Sequence, residues 1–262
     1  MTVYTADYFL SDACEGLDAY LNGTISLVKQ RELDLLDPQP GDRILDLGCG
    51  RGEVVAHLIR DGYEVIGIDY SGDALHLSRE LLEREDLPVH LARCDAARLP
   101  FADGSFDRIL MGDVIEHLEW EHGEAALREI GRILAPGGTV LVHTAPNLWF
   151  VRLVLPIVRL LLKFFGQRDL VKRIDEYNER RAEVHPNELS ILGLKRIVRN
   201  SGLNGRVWID PDVLRSGAST WTESIGGGIV GRVIGAIAGA MPFRWLLGND
   251  LYALVGPPTT ES

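Results

Sequence analysis

The chain of 262 residues predicts an α/β fold, a doubly wound seven-stranded sheet with helices on both faces and two helical insertions. Three observations carry this expectation. Five strand-like runs, with helix-like segments among them, lie between Arg43 and His143. Residues 44–53 read Ile-Leu-Asp-Leu-Gly-Cys-Gly-Arg-Gly-Glu, a buried-strand run followed by an acid and alternating glycines. Two later strand-like runs, Arg206–Asp210 and Leu251–Val255, each follow a stretch longer than an ordinary connection.

The elements follow in order. Gly16–Leu36 reads as a helix ended by Asp37-Pro38. Arg43–Leu47 has the length of a central parallel strand, and Glu53–Arg60 forms a helix closed by Asp61-Gly62. Glu64–Ile68 is the second strand, Ala74–Arg84 a helix, Val89–Arg93 the third strand and Asp107–Met111 the fourth. Glu124–Leu134 is a helix ended by Ala135-Pro136-Gly137-Gly138, and Thr139–His143 is the fifth strand. This alternation implies a parallel sheet. A helix over Glu188–Ser201 precedes the sixth strand. The whole chain reads as one domain: an N-terminal helical cap (1–40), a ligand-binding core (41–147), a first insertion (148–184), and the rest of the sheet (185–262) with a glycine-rich helical insertion at 211–248.

Hydrophobic residues make up 46% of the chain and charged residues 25%, as in an ordinary globular protein. The net charge of -11 argues against nucleic acid as a partner. Residues 1–147 carry 12 Lys+Arg and 27 Asp+Glu, whereas residues 148–262 carry 15 and 11. The acidic half holds the ligand-binding core, and the basic half begins where substrate elements are inserted. Cys14, Cys49 and Cys94 are far apart and form no metal-ligand pair, which fits reduced thiols in a cytoplasmic protein. The first ten residues lack a basic region and include Asp7, so no signal peptide is expected.

The loop Asp46-x-Gly48-x-Gly50-x-Gly52 leads into a helix whose N-terminus favours an anionic group. A dinucleotide fingerprint would put glycine or alanine at position 53, where Glu53 stands, and no lysine is placed for a P-loop. Asp69, in Ile66-Gly67-Ile68-Asp69-Tyr70-Ser71, ends the second strand. A carboxylate about 20 residues beyond a glycine loop can accept both ribose hydroxyls of a nucleotide. Its alternative is a helix N-cap, a role that Ser71 or Asp73 can also fill. After the third strand comes Cys94-Asp95-Ala96, where an acid can accept from an adenine amino group or simply hold a turn. Next come Leu99-Pro100-Phe101-Ala102-Asp103-Gly104-Ser105-Phe106-Asp107, then Met111-Gly112-Asp113-Val114-Ile115-Glu116-His117-Leu118, then Leu134-Ala135-Pro136-Gly137-Gly138-Thr139.

Together these segments resemble the methyltransferase 11-type subfamily of class I S-adenosyl-L-methionine (SAM) methyltransferases, over residues 40–147. The resemblance implies a Rossmann-like fold and SAM as cofactor. It implies that Asp46 and Gly48 lie near the methionine part, with Leu47, Cys49, Gly50 and Gly52 in the same loop. Asp69 and Tyr70 would meet the ribose, Cys94, Asp95 and Ala96 the adenine, and Gly112 and Asp113 the sulfonium end. The family reaction moves a methyl group in line from sulfur to a nucleophile, so positioning and exclusion of water are the main tasks.

A general base helps when the acceptor is a hydroxyl or an unactivated carbon. His143, at the carboxyl end of the fifth strand, and His185, in Glu183-Val184-His185-Pro186-Asn187-Glu188-Leu189-Ser190, are the candidates. The second segment resembles a His-x-Asn-x-x-Ser stretch of many relatives, near their acceptor site. The Glu116–His117 pair can ligate a metal or open and orient the turn after the fourth strand; the second role is preferred and no metal is assigned. Each histidine has a bland alternative as a hydrogen-bonded structural residue.

In the first insertion, Leu148–Phe165, the residues Arg152, Arg159 and Lys163 share one helical face amid apolar neighbours, with Pro156 starting or kinking the helix. This describes a lid over the site or a basic amphipathic helix on a membrane surface at 148–165. Gly227, Gly231, Gly235 and Gly239 form a stripe in the second insertion that suits close helix packing. The reading is a cytoplasmic SAM-dependent methyltransferase, with a candidate peripheral contact at the inner membrane face. Its acceptor is an apolar or lipid-linked small molecule, a glycan or quinone-type hydroxyl. The segment Tyr8–Gly16 loosely resembles ones found near bacterial surface-glycan enzymes, which brings in the glycan. Two alternatives stand beside this: a SAM-binding regulatory or scaffolding protein without turnover, and an NAD-dependent oxidoreductase, disfavoured by Glu53. The sequence sets no oligomeric state.

Overall fold

Seven strands form one sheet in the order β3-β2-β1-β4-β5-β7-β6. The structure is a computed structural model that describes residues 4–11, 14–210 and 248–258. The strands are β1 (Arg43–Leu47), β2 (Glu64–Asp69), β3 (Leu91–Arg93), β4 (Phe106–Gly112), β5 (Leu134–Thr144), β6 (Asn204–Asp210) and β7 (Asp250–Gly256). Strands β1 to β5 pair in parallel, but β7 runs antiparallel to both β5 and β6. The five strands whose alternation implied parallel pairing do pair in parallel; the sequence reading sets no direction for the last two. Apolar period marks a strand and its buried faces but not its direction.

Helices α1 (Ala6–Phe9), α2 (Leu17–Leu21) and α3 (Leu27–Leu36) form the N-terminal cap. The single helix expected over Gly16–Leu36 is broken: Gly23 adopts φ +71°, and the Ser26 side chain caps α3 by accepting from Lys29 N–H. The helices α4 (Glu53–Arg60), α5 (Gly72–Arg84), α6 (Trp120–Ile133) and α9 (Ile191–Asn200) cover the sheet. Ser71 and Ser190 cap α5 and α9 by accepting from Ala74 and Gly193 N–H. Strand β5 starts earlier than expected, because Leu134 already pairs with Phe106 before a bulge restores register at Arg108 and Thr139.

Successive side chains of each strand leave on opposite faces. Ile44, Leu110 and Leu141 pack with Leu33 of α3, Val55 of α4 and Leu82 of α5. Leu45, Ile109 and Val140 pack with Leu127 and Ile130 of α6 and Leu194 and Ile197 of α9. Both faces are dry, which is why the central strands read as continuous apolar runs. Truncating one such residue, as in Leu127→Ala, costs about 2–5 kcal/mol.

The first insertion is a helical hairpin. A π-helical turn, Phe150–Val154, runs into α7 (Leu155–Phe164), with Pro156 in its first turn, and α8 (Arg168–Val184) returns. Leu155, Val158 and Leu162 of α7 bury against Val171 and Ile174 of α8. The outer face of α7 is apolar and open: Ile157, Leu160, Leu161 and Phe164 are exposed, Phe164 to 82%. Of the three basic residues, Arg159 turns to Asp175 on α8, while Arg152 and Lys163 are exposed. No helix among the described residues is long and apolar enough to cross a membrane. The glycine stripe of the second insertion falls in 211–247 and lies outside the described residues.

Candidate functional site

A cavity of about 1350 Å³ lies over the carboxyl ends of β1, β2, β4 and β5, where ligands sit in open α/β sheets. The glycine loop forms one wall. Gly48 has φ +83°, and a Cβ there would meet Val114 Cγ2 at 2.2 Å, so only glycine fits. The N–H groups of Gly48 and Cys49 donate to the Ile68 carbonyl at 2.8 and 2.9 Å, tying the loop to β2.

Asp69 follows directly. Its carboxylate accepts from Gly50 N–H at 3.0 Å and Ser71 N–H at 2.8 Å, which fixes its orientation and leaves lone pairs for further donors. Burial lifts its carboxyl above the usual range, against those two N–H groups. The N-cap alternative falls to Ser71, whose side chain accepts from Ala74 N–H. Asp46 is buried, and burial pushes its carboxyl up to about 7. An acid in that state suits a cationic group, which would restore its charge. Asp95 stands at the rim, its Oδ1 2.8 Å from His122 Nε2 and accepting from Ala97 N–H at 2.9 Å. These contacts outweigh partial burial and hold its carboxyl below the usual range.

Leu47, Cys49, Gly50, Tyr70, Cys94, Ala96, Gly112 and Asp113 line the same cavity. Gly52 does not. Its φ of +82° turns the chain into α4, and a Cβ there would meet Ser78 Oγ at 2.8 Å, so its role is to let the loop pack on α5. Glycine cradle, oriented Asp69 and buried Asp46 fit a cationic nucleoside such as SAM.

The predicted bases separate. His143, 1% exposed, is enclosed by acids: Nδ1 lies 2.8 Å from Glu32 and 3.1 Å from Asp113, and Nε2 lies 3.3 Å from Asp250. Its ring stacks on Tyr252, which stacks on Trp208, one residue from each of β5, β7 and β6. Burial opposes its charge, but Tyr252, Asp113 and Asp250 outweigh burial and lift its pKa well above that of a free imidazole. Both ring nitrogens face carboxylates within 3.3 Å, so the geometry makes His143 the partner of Glu32, Asp113 and Asp250 and turns neither nitrogen to a methyl acceptor. Asp113 has φ +51°, a conformation that costs energy away from glycine and asparagine. Burial opposes its charge, and His143 keeps its carboxyl below the usual range. Gly112 leaves room for Glu32, whose Oε1 would lie 2.8 Å from a Cβ there.

His185 lines the cavity beside Glu116 and His117 of the turn Ile115–His117. The His117 and His185 rings meet edge to face at 4.7 Å, and Asn187 N–H donates to the Glu116 carbonyl at 3.2 Å. Glu116 is buried, and burial and Asp113 push its carboxyl up to about 8. Burial lowers the pKa of His117 despite the Val184 carbonyl at 2.8 Å from Nδ1.

The N-terminal cap supplies residues that the motifs did not reveal. Tyr4, Tyr8, Phe9, Lys29 and Glu32 line the cavity. Arg51, 1% exposed, pairs with Glu53 at 2.8 Å and donates to the carbonyls of Phe9 and Glu15. Lys29 pairs with Glu53 at 2.9 Å. A signal existed: Val28, Glu32 and Leu36 recur at helical spacing, so Glu32 is an acid inside a buried stripe. From the insertion, Leu170 and Ile174 of α8 also reach the cavity, so this hairpin covers the site.

Residues 44–138 match the family model described as a methyltransferase domain. A demethylmenaquinone methyltransferase of Thermus thermophilus is 35% identical over 120 residues, 45% of this chain and 54% of that one. The match thus spans about half the length of this curated relative. The crystal structure of PH0226 protein from Pyrococcus horikoshii superposes with a TM-score of 0.58 at 17% identity, over 96% of both chains. A geranyl diphosphate methyltransferase in complex with GPP and sinefungin gives 0.56 at 18% identity, over 87% of this chain and 75% of that one. At these identities the solved structures show the fold.

Proposed function

We propose that this chain, whose residues 44–138 match a methyltransferase domain, is a class I SAM-dependent methyltransferase that moves a methyl group from SAM to an apolar, lipid-linked small molecule. The carrying observation is the cavity itself: glycine loop, Asp46 and Asp69 at one end, Glu116, His117 and His185 at the other. Its volume of about 1350 Å³ exceeds the range of a typical single-ligand pocket, about 300–1,000 Å³, and so supports two ligands side by side.

When bound, SAM supplies an electrophilic methyl group on sulfur. With SAM bound, Asp69 would accept from the ribose, Asp46 would face the cationic amino-acid part, and Asp113, paired with His143, would border the reacting end. His185, with neutral His117 beside it, is the candidate to receive the acceptor's proton. Tyr4, Tyr8 and α8 exclude water, which favours in-line transfer.

Two features support an apolar acceptor. The outer face of α7 exposes Ile157, Leu160, Leu161 and Phe164 beside Arg152 and Lys163, a surface suited to an anionic bilayer from which such an acceptor is drawn. The Thermus thermophilus relative is named for a quinone-type acceptor, which makes a quinone ring the first to test and a lipid-linked sugar the second. Calorimetry with SAM and S-adenosylhomocysteine, with Asp69→Ala as control, tests the cofactor. Transfer of labelled methyl into quinone or glycolipid fractions of a membrane extract tests the acceptor. SAM binding with no transfer into either fraction would favour a regulatory SAM-binding protein.

A further inference from the structure

Among the described residues, two groups of metal-ligating side chains lie in the cavity, and their surroundings differ. In the first, Glu32, Asp113 and His143, both imidazole nitrogens already face carboxylates, and the imidazolium occupies the place of a cation. In the second, Glu116, His117 and His185, each residue offers a ligand atom within 4.8 Å of the others.

We propose that Glu116, His117 and His185 bind a divalent first-row transition ion, and that this ion holds a hydroxyl oxygen of the methyl acceptor. The inference rests on the methyltransferase reading for its second half only. Two imidazoles and one carboxylate are a set that binds zinc, iron or cobalt and leaves positions open for substrate. His117 Nδ1 lies 2.8 Å from the Val184 carbonyl, which only accepts; the proton is therefore on Nδ1, and Nε2 keeps its lone pair. Ligating histidines are oriented in this manner by a carbonyl or carboxylate behind them. Glu116 is fixed in turn: Oε2 accepts from Thr144 Oγ1 at 2.8 Å, and its carboxylate offers a ligand atom within 4.8 Å of those of His117 and His185. It is 2% exposed and forms no ion pair with lysine or arginine among the described residues, and a buried carboxylate calls for a cation. The pair Glu116–His117, given an orienting role on sequence grounds, thereby gains a third member from a segment 68 residues further along.

The transfer balances without a further reactant. With the ion bound, the His185 lone pair is on the metal, so the acceptor O–H gives its proton to water in place of His185; the oxygen bonds to the methyl carbon, and the carbon–sulfur bond breaks with its pair going to sulfur. A cation on the acceptor oxygen favours the first step by stabilising the alkoxide or phenolate.

The test uses the full chain, free of tag histidines and stripped with a chelator. Titration with Co²⁺ is followed by visible absorption, and SAM binding is measured by calorimetry on the same samples. The expected result is saturation at one equivalent, displacement by Zn²⁺, and affinity at least tenfold weaker in His185→Ala and in Glu116→Gln. His185→Ala should still bind SAM, which shows that it folds. No saturable absorption, or affinity unchanged in both variants, overturns the site. If Co²⁺ binds as expected while SAM does not bind, the methyltransferase reading fails and the metal site stands. If SAM binds while Co²⁺ does not, the metal site alone fails.

Discussion

The two carboxylate–histidine groups at the ends of β4 and β5 use the same residue types to opposite ends. Around His143, three acids converge on one imidazolium, and the set is closed by stacked rings from three strands. Around His185, a buried acid and two imidazoles face the cavity. The difference teaches that neither burial nor histidine identifies a working site. What counts is whether the charges already answer one another. The first group is a structural knot that presents Asp113; the second turns its ligand atoms toward one another at the cavity wall, where the proposed ion would sit.

The largest effect should come from breaking the knot. His143→Ala leaves buried Glu32 and Asp250 and half-buried Asp113 around a missing cation, which costs about 3–5 kcal/mol of stability. Urea unfolding would read this, and an unchanged midpoint would mean that the acids relax or take up protons freely. His185→Ala should invert the pattern. Its stability stays within about 0.5 kcal/mol of the parent, while turnover with the true acceptor falls roughly 100-fold, the lower end for loss of a proton-transfer group.

A third prediction sharpens the comparison at the cofactor end. Burial pushes the Asp46 carboxyl up to about 7 in the folded chain, above the ~3.9 of a free aspartate. A carboxyl raised on folding contributes stability that is full below its unfolded value and is lost as pH rises through the folded one. The ligand-free protein thus loses this contribution between about pH 4 and 7. A cationic ligand wants the ionised form, so SAM affinity should rise about eightfold from pH 6 to 7.5, with proton release. Calorimetry in two buffers checks this, and Asp46→Asn should flatten the profile. The smallest effect on the fold belongs to α7. The double change Leu160→Glu and Phe164→Glu should shift stability by less than about 0.5 kcal/mol, yet abolish cosedimentation with anionic vesicles. Retained cosedimentation would remove the membrane contact.

What the sequence made legible follows distance along the chain. The glycine loop, the placement of Asp69 and Asp95 at strand ends and the Ser71 cap are local patterns, each read within a few residues, whereas the Ser190 cap was read as part of its helix. Strands were legible because both faces of the sheet are dry. The direction of β7 was not, since an apolar run reads alike both ways. The partners of His143 were not either: Asp250 lies 107 residues away, and no local pattern couples the two. Gly52 misled for a related reason. Its glycine is required by Ser78 on α5, and a steric requirement reads in sequence the same as a ligand contact. Glu32 alone left a trace, as a charge within a buried helical stripe.

Arg51 has one more consequence. Its guanidinium ties the backbone of Phe9 and Glu15 to the loop that cradles the cofactor, and Tyr20 covers it at 5.0 Å. The N-terminal segment is thereby a latch across a doorway. On the proposed function, Arg51→Ala would free that segment from the loop, and SAM should then leave faster with little change in the sheet behind it.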